Sequence, residues 1–228
     1  MRRWLPLLVL PSMLLAGSLQ ASSVVVPGAQ GQNVTLHLTS LKEARFKNTI
    51  RQKYDFSCGS AAVATLLTYQ YGYPVDEQAA FEQMYAHGDR AKITKEGFSL
   101  LDIKAYLQAN GFEADGFDVP LEKLQQENLP AIVLIDEGGY HHFVVIKGLR
   151  NDRVLVGDPA LGTRSLPRSR FNAMWKNHLI FVIHNRRSMA VFNSASDWRA
   201  APMAPLSSGI DRRGLDGITM PKRGPGDI

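Results

Sequence analysis

A chain of 228 residues, 45% hydrophobic and 21% charged, has the composition of an ordinary globular protein and is long enough for one sizeable domain with appendages. Its formal net charge of +5 is dispersed, with the densest basic groups at the N-terminus, around Arg164 to Arg170 and in the last residues, a distribution that argues against a nucleic-acid partner. A single cysteine excludes a thiolate metal cage and the glycines follow no nucleotide-binding pattern, so neither a metal nor an organic cofactor is implied.

Residues 1–21 read as an export signal: Arg2 and Arg3, an apolar run from Trp4 to Ala16, then small or polar residues to Ala21, after which cleavage is expected. Pro6, Pro11 and the short length argue against a transmembrane helix, and no later segment is long enough to span a bilayer. The mature chain would then meet an oxidising compartment with one cysteine and no partner for it within the chain. Such a leftover thiol is either buried or chemically employed.

Residues 22–45 form an N-terminal extension, linker-like up to Gln32, with Val34, Leu36 and Leu38 alternating as in a strand. The main domain is expected over residues 46–186. Its first helix starts near Cys58, runs through Ala61, Ala62, Val63, Ala64, Leu66 and Leu67, and ends at Gly72, with Ser57 as a candidate cap. Cys58 therefore stands at a helix N-terminus, where unpaired N–H groups and the helix dipole favour a thiolate. The competing reading is a buried, inert core cysteine. A second helix follows from Asp76 to about His87, then a polar loop with Gly88 and Gly97, and a third helix that Ser99 and Asp102 open as a capping box and Gly111 closes. Phe112 to Val119 reads as extended and Pro120 to Glu127 as a short helix. The period then changes. Ala131 to Ile135, Phe143 to Ile146, Val154 to Val156 and Leu179 to Ile183 are β-branched-rich runs separated by turn residues. Helices first and strands afterwards indicate an α+β fold, the helices packed on a mostly antiparallel sheet. Residues 187–228, rich in Ser, Pro, Gly and Arg, are expected to form a flexible tail, with docking of Trp198 or Met203 the lesser outcome.

A cysteine nucleophile needs a base and a group to orient that base. Of six histidines, His37, His87, His178 and His184 sit at ordinary structural or solvated positions. His141 and His142 open the apolar run HHFVVIKGL after Gly138 and Gly139, and strand alternation lets only one of the two face the thiol. Asp158 ends the next strand and precedes Pro159, which keeps it extended, so it reaches the same rim of the sheet as the histidine. Asp152, the rival acid, belongs to the expected Asn151–Asp152 turn. Gln52, six residues before Cys58, carries an amide that could donate to an oxyanion alongside the Cys58 N–H.

Taken together, Gln52, the stretch Tyr54-Asp55-Phe56-Ser57-Cys58-Gly59-Ser60-Ala61-Ala62, then His142-Phe143-Val144-Val145 and Val156-Gly157-Asp158-Pro159-Ala160-Leu161-Gly162 resemble the bacteriocin-processing cysteine peptidases, family thirty-nine of the papain-like clan. The resemblance covers about Phe46 to Asn185. It implies a papain-like fold, Cys58 as nucleophile, His142 rather than His141 as base, Asp158 as orienter and Gln52 in the oxyanion hole. It also implies cleavage of an extended peptide after a glycine pair. Family members are commonly domains of membrane exporters, whereas this chain has no ATPase motif and an export signal; Ser57 also stands where the family usually has Asp or Glu. The chain is in these respects similar to a free-standing, periplasmic branch that serves functional-amyloid secretion, with amyloid subunits or their secretion machinery as partners. The rival readings are a groove that binds such a partner without cutting it, and an acyltransferase with the same chemistry.

Overall fold

The computed structural model describes residues 23–27, 33–37, 40–175 and 177–201. The expected export signal and the residues after 201 lie outside them. Two short strands, β1 (Ser23–Pro27) and β2 (Asn33–His37), pair antiparallel as a hairpin, Val25 opposite Thr35. The Val24-Val25-Val26 run, read as linker, is β-branched and pairs for that reason.

From residue 41 a second compact unit begins. It opens with α1 (Leu41–Arg45) and then α2 (Cys58–Thr65), whose helix continues as one π-helical turn, Leu66–Gln70. Three more helices follow, α3 (Glu77–His87), α4 (Arg90–Glu96) and α5 (Leu100–Ala109). The capping box at Ser99 and Asp102 is present, each side chain engaging the other's backbone N–H. Asp76 takes the N-cap position of α3 without a side-chain bond. The polar loop expected between Gly88 and Gly97 is instead α4, capped by the Asp89 carboxylate on the Lys92 N–H and anchored by buried Ile93. Two apolar residues in seven, Ala91 and Ile93, left no period to read.

The remaining chain forms β3 (Ala114–Asp118), α6 (Glu122–Glu127), β4 (Ala131–Glu137), β5 (Tyr140–Arg150), β6 (Arg153–Asp158), β7 (Gly162–Pro167), α7 (Arg168–Met174) and β8 (Leu179–Ile183). The six strands make one antiparallel sheet in the order β3-β8-β4-β5-β6-β7. Both faces of this sheet are covered. Ile132, Phe143 and Val145 pack with α2, α3 and α5, whereas Val133, Ile135, Val144, Ile146 and Val156 pack with Phe171, Met174 and Trp175 on the other side. Burial on both faces explains why β5 reads as a continuous apolar run rather than an alternation. Strand β7 and helix α7 were not legible because GTRSLP and RSRFNAM carry too few apolar residues to show a period.

After a 3-10 turn, Arg187–Met189, comes α8 (Ala195–Ala200). Residues 187–201, expected to be flexible, are packed. Trp198 is buried with Leu155 and Ala201, under the Arg150 guanidinium 4.7 Å from its ring, and Asp197 is buried against Lys147. A buried ion pair and one indole override the polar composition that suggested a tail.

Candidate active site

Cys58 is the first residue of α2 and is 6% exposed. Gly59 follows it because a Cβ there would lie 2.8 Å from the Phe98 Cβ; the glycine lets the helix start against Phe98. Ser57 does not cap the helix. Its hydroxyl accepts from the Tyr54 N–H and returns a bond to the Tyr54 carbonyl, both at 3.1 Å, closing the turn before the cysteine. Backbone N–H groups of Phe143, Gly59 and Cys58 itself favour the thiolate, that of Phe143 most. Burial nevertheless wins: it pushes the thiol above its ordinary value, the Asp158 charge pushes the same way, and the three donors only partly offset them. The thiolate expected from the helix N-terminus is therefore not the favoured resting form, since the helix end supplies donors but the surrounding core removes water.

Residues 140 and 142 share a face of β5, opposite to 141, and this divides the two histidines. His141 is exposed, its Nε2 3.4 Å from Asp136 Oδ2. His142 is buried, with Nε2 3.2 Å from Asp158 Oδ2 and Nδ1 buried without a hydrogen-bond partner. Phe143, the next residue, is the one whose N–H reaches the Cys58 sulfur. Tyr140 covers the imidazole, ring centroids 5.0 Å apart and 28° between planes, and its hydroxyl donates to the Asp55 carbonyl at 2.9 Å. Gly138 and Gly139, with φ of 69° and 89°, form the tight loop that pairs Glu137 with Tyr140 and starts β5 at this point.

Asp158 is fully buried at the end of β6, and both carboxylate oxygens are in use. Oδ1 accepts from the Ala160 and Leu161 N–H groups at 2.9 and 3.1 Å; Oδ2 accepts from His142 and from Arg164 at 2.6 Å. Burial alone would raise this carboxyl, but the His142 hydrogen bond, the Arg164 and His142 charges and the backbone donor hold it below the ordinary carboxylate range. Asp152 lies at the other end of β6 in the β5–β6 turn, far from this cluster.

Gln52 is tied to the same corner through its backbone, whose N–H donates to the Pro159 carbonyl at 3.1 Å. Its side-chain amide donates to the Tyr54 and Asp55 carbonyls at 3.0 and 3.4 Å, while Oε1 is buried without a partner. The expected donor thus holds the loop before Cys58 in this structure.

Arg164 and Glu137 escaped the sequence reading. The Arg164 guanidinium bridges Asp158 and Glu137, the latter at 3.0 Å, and Arg170 adds a second cation to Glu137 at 3.0 Å. Glu137, His142 and Asp158 present ligand atoms within 4.8 Å of one another, but the cation among them is the protein's own guanidinium. No residue pattern marks an arginine on a polar strand as a partner for these carboxylates.

The arrangement, a thiol flanked by N–H donors beside a buried His–carboxylate pair, is suited to acyl transfer through sulfur. The comparisons agree. Residues 47–187 match the model of the Peptidase C39 family. The chain is 40% identical over 165 residues to the "probable functional amyloid protease FapD" of Pseudomonas aeruginosa, covering 72% of this chain and 73% of that protein. Identity is 38% over 172 residues to the protein of the same description from Pseudomonas fluorescens, covering 75% and 76%. Among solved structures, the peptidase domain of Streptococcus ComA, a bi-functional ABC transporter, superposes with a TM-score of 0.51 at 22% identity, over 60% of this chain and 96% of that one, and so supports the fold. The chain belongs to the Peptidase C39 family and is a cysteine peptidase of α+β, papain-like architecture.

Proposed function

We propose that this peptidase is exported and cleaves a secreted peptide or protein, with Cys58 as nucleophile, His142 as base, Asp158 as its orienter and Gln52 beside the oxyanion. The observation that carries the reading is the buried His142–Asp158 pair at 3.2 Å: it leaves Nδ1 as the free imidazole nitrogen, on the residue adjacent to the N–H that holds the Cys58 sulfur. Because burial keeps the thiol protonated, proton transfer to Nδ1 accompanies attack. Sγ bonds to the scissile carbonyl carbon, and the oxyanion takes the Cys58 N–H and the Gln52 amide once that amide turns from the Tyr54 and Asp55 carbonyls. Collapse breaks the C–N bond as the imidazolium returns its proton to the departing amine. Water then attacks the thioester, gives its proton to His142, and releases the acid and the thiol.

Arg2, Arg3 and the apolar run after them support export, and with the two Pseudomonas relatives they favour the periplasm as the compartment. The names of the two Pseudomonas relatives make an amyloid subunit or a protein of its secretion machinery the first substrate to test, and the family resemblance supports a glycine pair as the first cleavage site to look for. The test is to incubate the mature protein, wild type and Cys58→Ala, with exported proteins of the same cell and to sequence new peptide termini by mass spectrometry. New termini with the wild type alone, a glycine preceding each, are expected. Identical termini from both proteins, with Cys58→Ala folded, would refute the role of the thiol and leave a peptide-binding groove.

A further inference from the structure

We infer that Arg164 is a positioning residue of this site: it locks the Asp158 carboxylate for His142 and offsets part of that carboxylate's charge near the Cys58 thiol. The inference rests on the peptidase reading above and deepens it.

The observations are geometric. Asp158 Oδ2 must serve two donors at once, His142 Nε2 and an Arg164 terminal nitrogen, and the second contact, at 2.6 Å, is the shorter. The guanidinium is itself fixed. It is 12% exposed, its two terminal nitrogens reach the two oxygens of Glu137 at 3.4 and 3.0 Å, and its Nε is buried without a partner. It stands on β7 directly beside β6, where Val156 pairs with Arg164, so it approaches Asp158 from the side away from β5. His142 therefore meets a carboxylate whose plane is already set from behind by Arg164 and from below by the Ala160 and Leu161 N–H groups.

The second role follows from charge. The buried Asp158 carboxylate raises the Cys58 thiol through space, an effect that opposes the formation of a thiolate. A guanidinium in contact with the same oxygen subtracts from that field. The charged or titratable groups facing Asp158 are His142 from β5, Arg164 from β7, Glu137 from β4, with Arg170 of α7 behind Glu137, and Cys58 from α2. Arg164 is the cation in direct contact with both carboxylates. Removing it would leave the Asp158 and Glu137 carboxylates, within 4.8 Å of each other, without the guanidinium between them.

Alkylation of Cys58 by iodoacetamide across pH tests this without a substrate, because it is the chain's one cysteine. In Arg164→Met the midpoint of the alkylation profile should move up by about one unit, since loss of a nearby positive charge makes every neighbouring group easier to protonate. In Glu137→Gln it should move down, by the opposite argument. Arg164→Lys keeps the charge and loses the two-pronged bridge, so its midpoint should stay near wild type while cleavage of whichever peptide the wild type cuts slows at least tenfold. Thermal melts of each variant establish that it is folded. A purely structural Arg164 would lower stability and leave the midpoint unmoved, and equal midpoints in folded Arg164→Met and wild type would overturn the inference. Failure of the peptidase reading has a different signature: His142→Ala would then share the wild-type profile, showing that no imidazole is coupled to the thiol.

Discussion

Asp158 carries four hydrogen bonds on two oxygens, so its conversion to asparagine disturbs more than charge. If the amide oxygen keeps the Ala160 and Leu161 N–H groups, the amide nitrogen must face both His142 and Arg164. Arg164 can only donate, and a donor opposite it is repulsive. His142 would have to accept on Nε2, which moves its proton to Nδ1, the nitrogen needed to receive the thiol proton. Asp158→Asn should therefore lower kcat by about two to four orders of magnitude. It should also lower the melting temperature, because Arg164 loses its closest partner. Near-normal kcat in a folded variant would remove Asp158 from the mechanism. At this scale the sequence was legible where chemistry sits in short, distinctive words: the lone cysteine, the histidine before an apolar strand, the Asp-Pro that ends the next one. It was not legible for Arg164 and Glu137, which lie 27 residues apart and meet through the sheet. The helix-start argument for a thiolate had the donors right and the balance wrong, since burial of Cys58 depends on residues far along the chain.

Helix α8 has six residues, too short to persist alone in water, so contacts hold it. The principal one is Asp197, whose carboxylate accepts from Lys147 Nζ at 2.6 Å, Asn48 at 3.0 Å, Gln70 at 3.2 Å and Ser194 at 2.8 Å. Asn193 completes the strap: its N–H donates to the Lys147 carbonyl and its Oδ1 accepts from the Leu149 N–H, beside the irregularity in β5 at Ile146 and Gly148. Four separate parts of the chain thus meet at one buried ion pair, whose Asp197 lies beyond the span that the family model matches while Lys147, Asn48 and Gln70 lie within it. Lys147 has no exposed surface. Asp197→Ala would leave its ammonium buried with only the Asn48 carbonyl and the Tyr69 ring face, and no counter-charge, and should cost about 3–5 kcal/mol in urea unfolding. The double change Lys147→Met, Asp197→Leu removes both charges and should recover the part of that loss due to the unpaired ammonium, while the Asn48 and Gln70 amides left without their acceptor keep the rest. Equal stability of the single and double variants would show that the unpaired ammonium is not the source of the loss. Nothing in the sequence distinguished Asp197 from the polar residues around it, which is why this segment reads as tail.

Across the whole molecule, the α+β order was legible because helices and strands fall in separate halves of the chain, and the strands were legible because a sheet covered on both faces needs long apolar runs. The pieces that were missed, α4, β7, α7 and α8, are short and polar, and none buries more than two apolar side chains, too few to show a period in the sequence. The same division governs the response to acid. Asp158 and Asp197 are buried, and for both the pairing outweighs the burial that would raise them, so both are held below the ordinary carboxylate range. A folded-state value below the unfolded one means the unfolded chain binds the proton more readily. The stability these groups contribute is thus fully present above the ordinary carboxylate value and is lost as pH falls through the depressed ones. Asp115, Glu122, Glu127 and Glu137 are shifted the same way, but three of the four lie at the surface, where solvent and salt screen them, and Glu137 is only partly shielded. Acid lability should therefore come from two places, the active site and the α8 strap, which protonate together but serve different parts of the fold. Thermal melts from pH 7 down to about pH 2 should show a flat melting temperature near neutrality and a steep fall below the ordinary carboxylate range. The Lys147→Met, Asp197→Leu protein, lacking one of the two sources, should fall less steeply over the same range. A melting temperature that stays flat into strong acid, or an identical acid limb in the double variant, would mean that these buried carboxylates are not what the folded chain holds ionised.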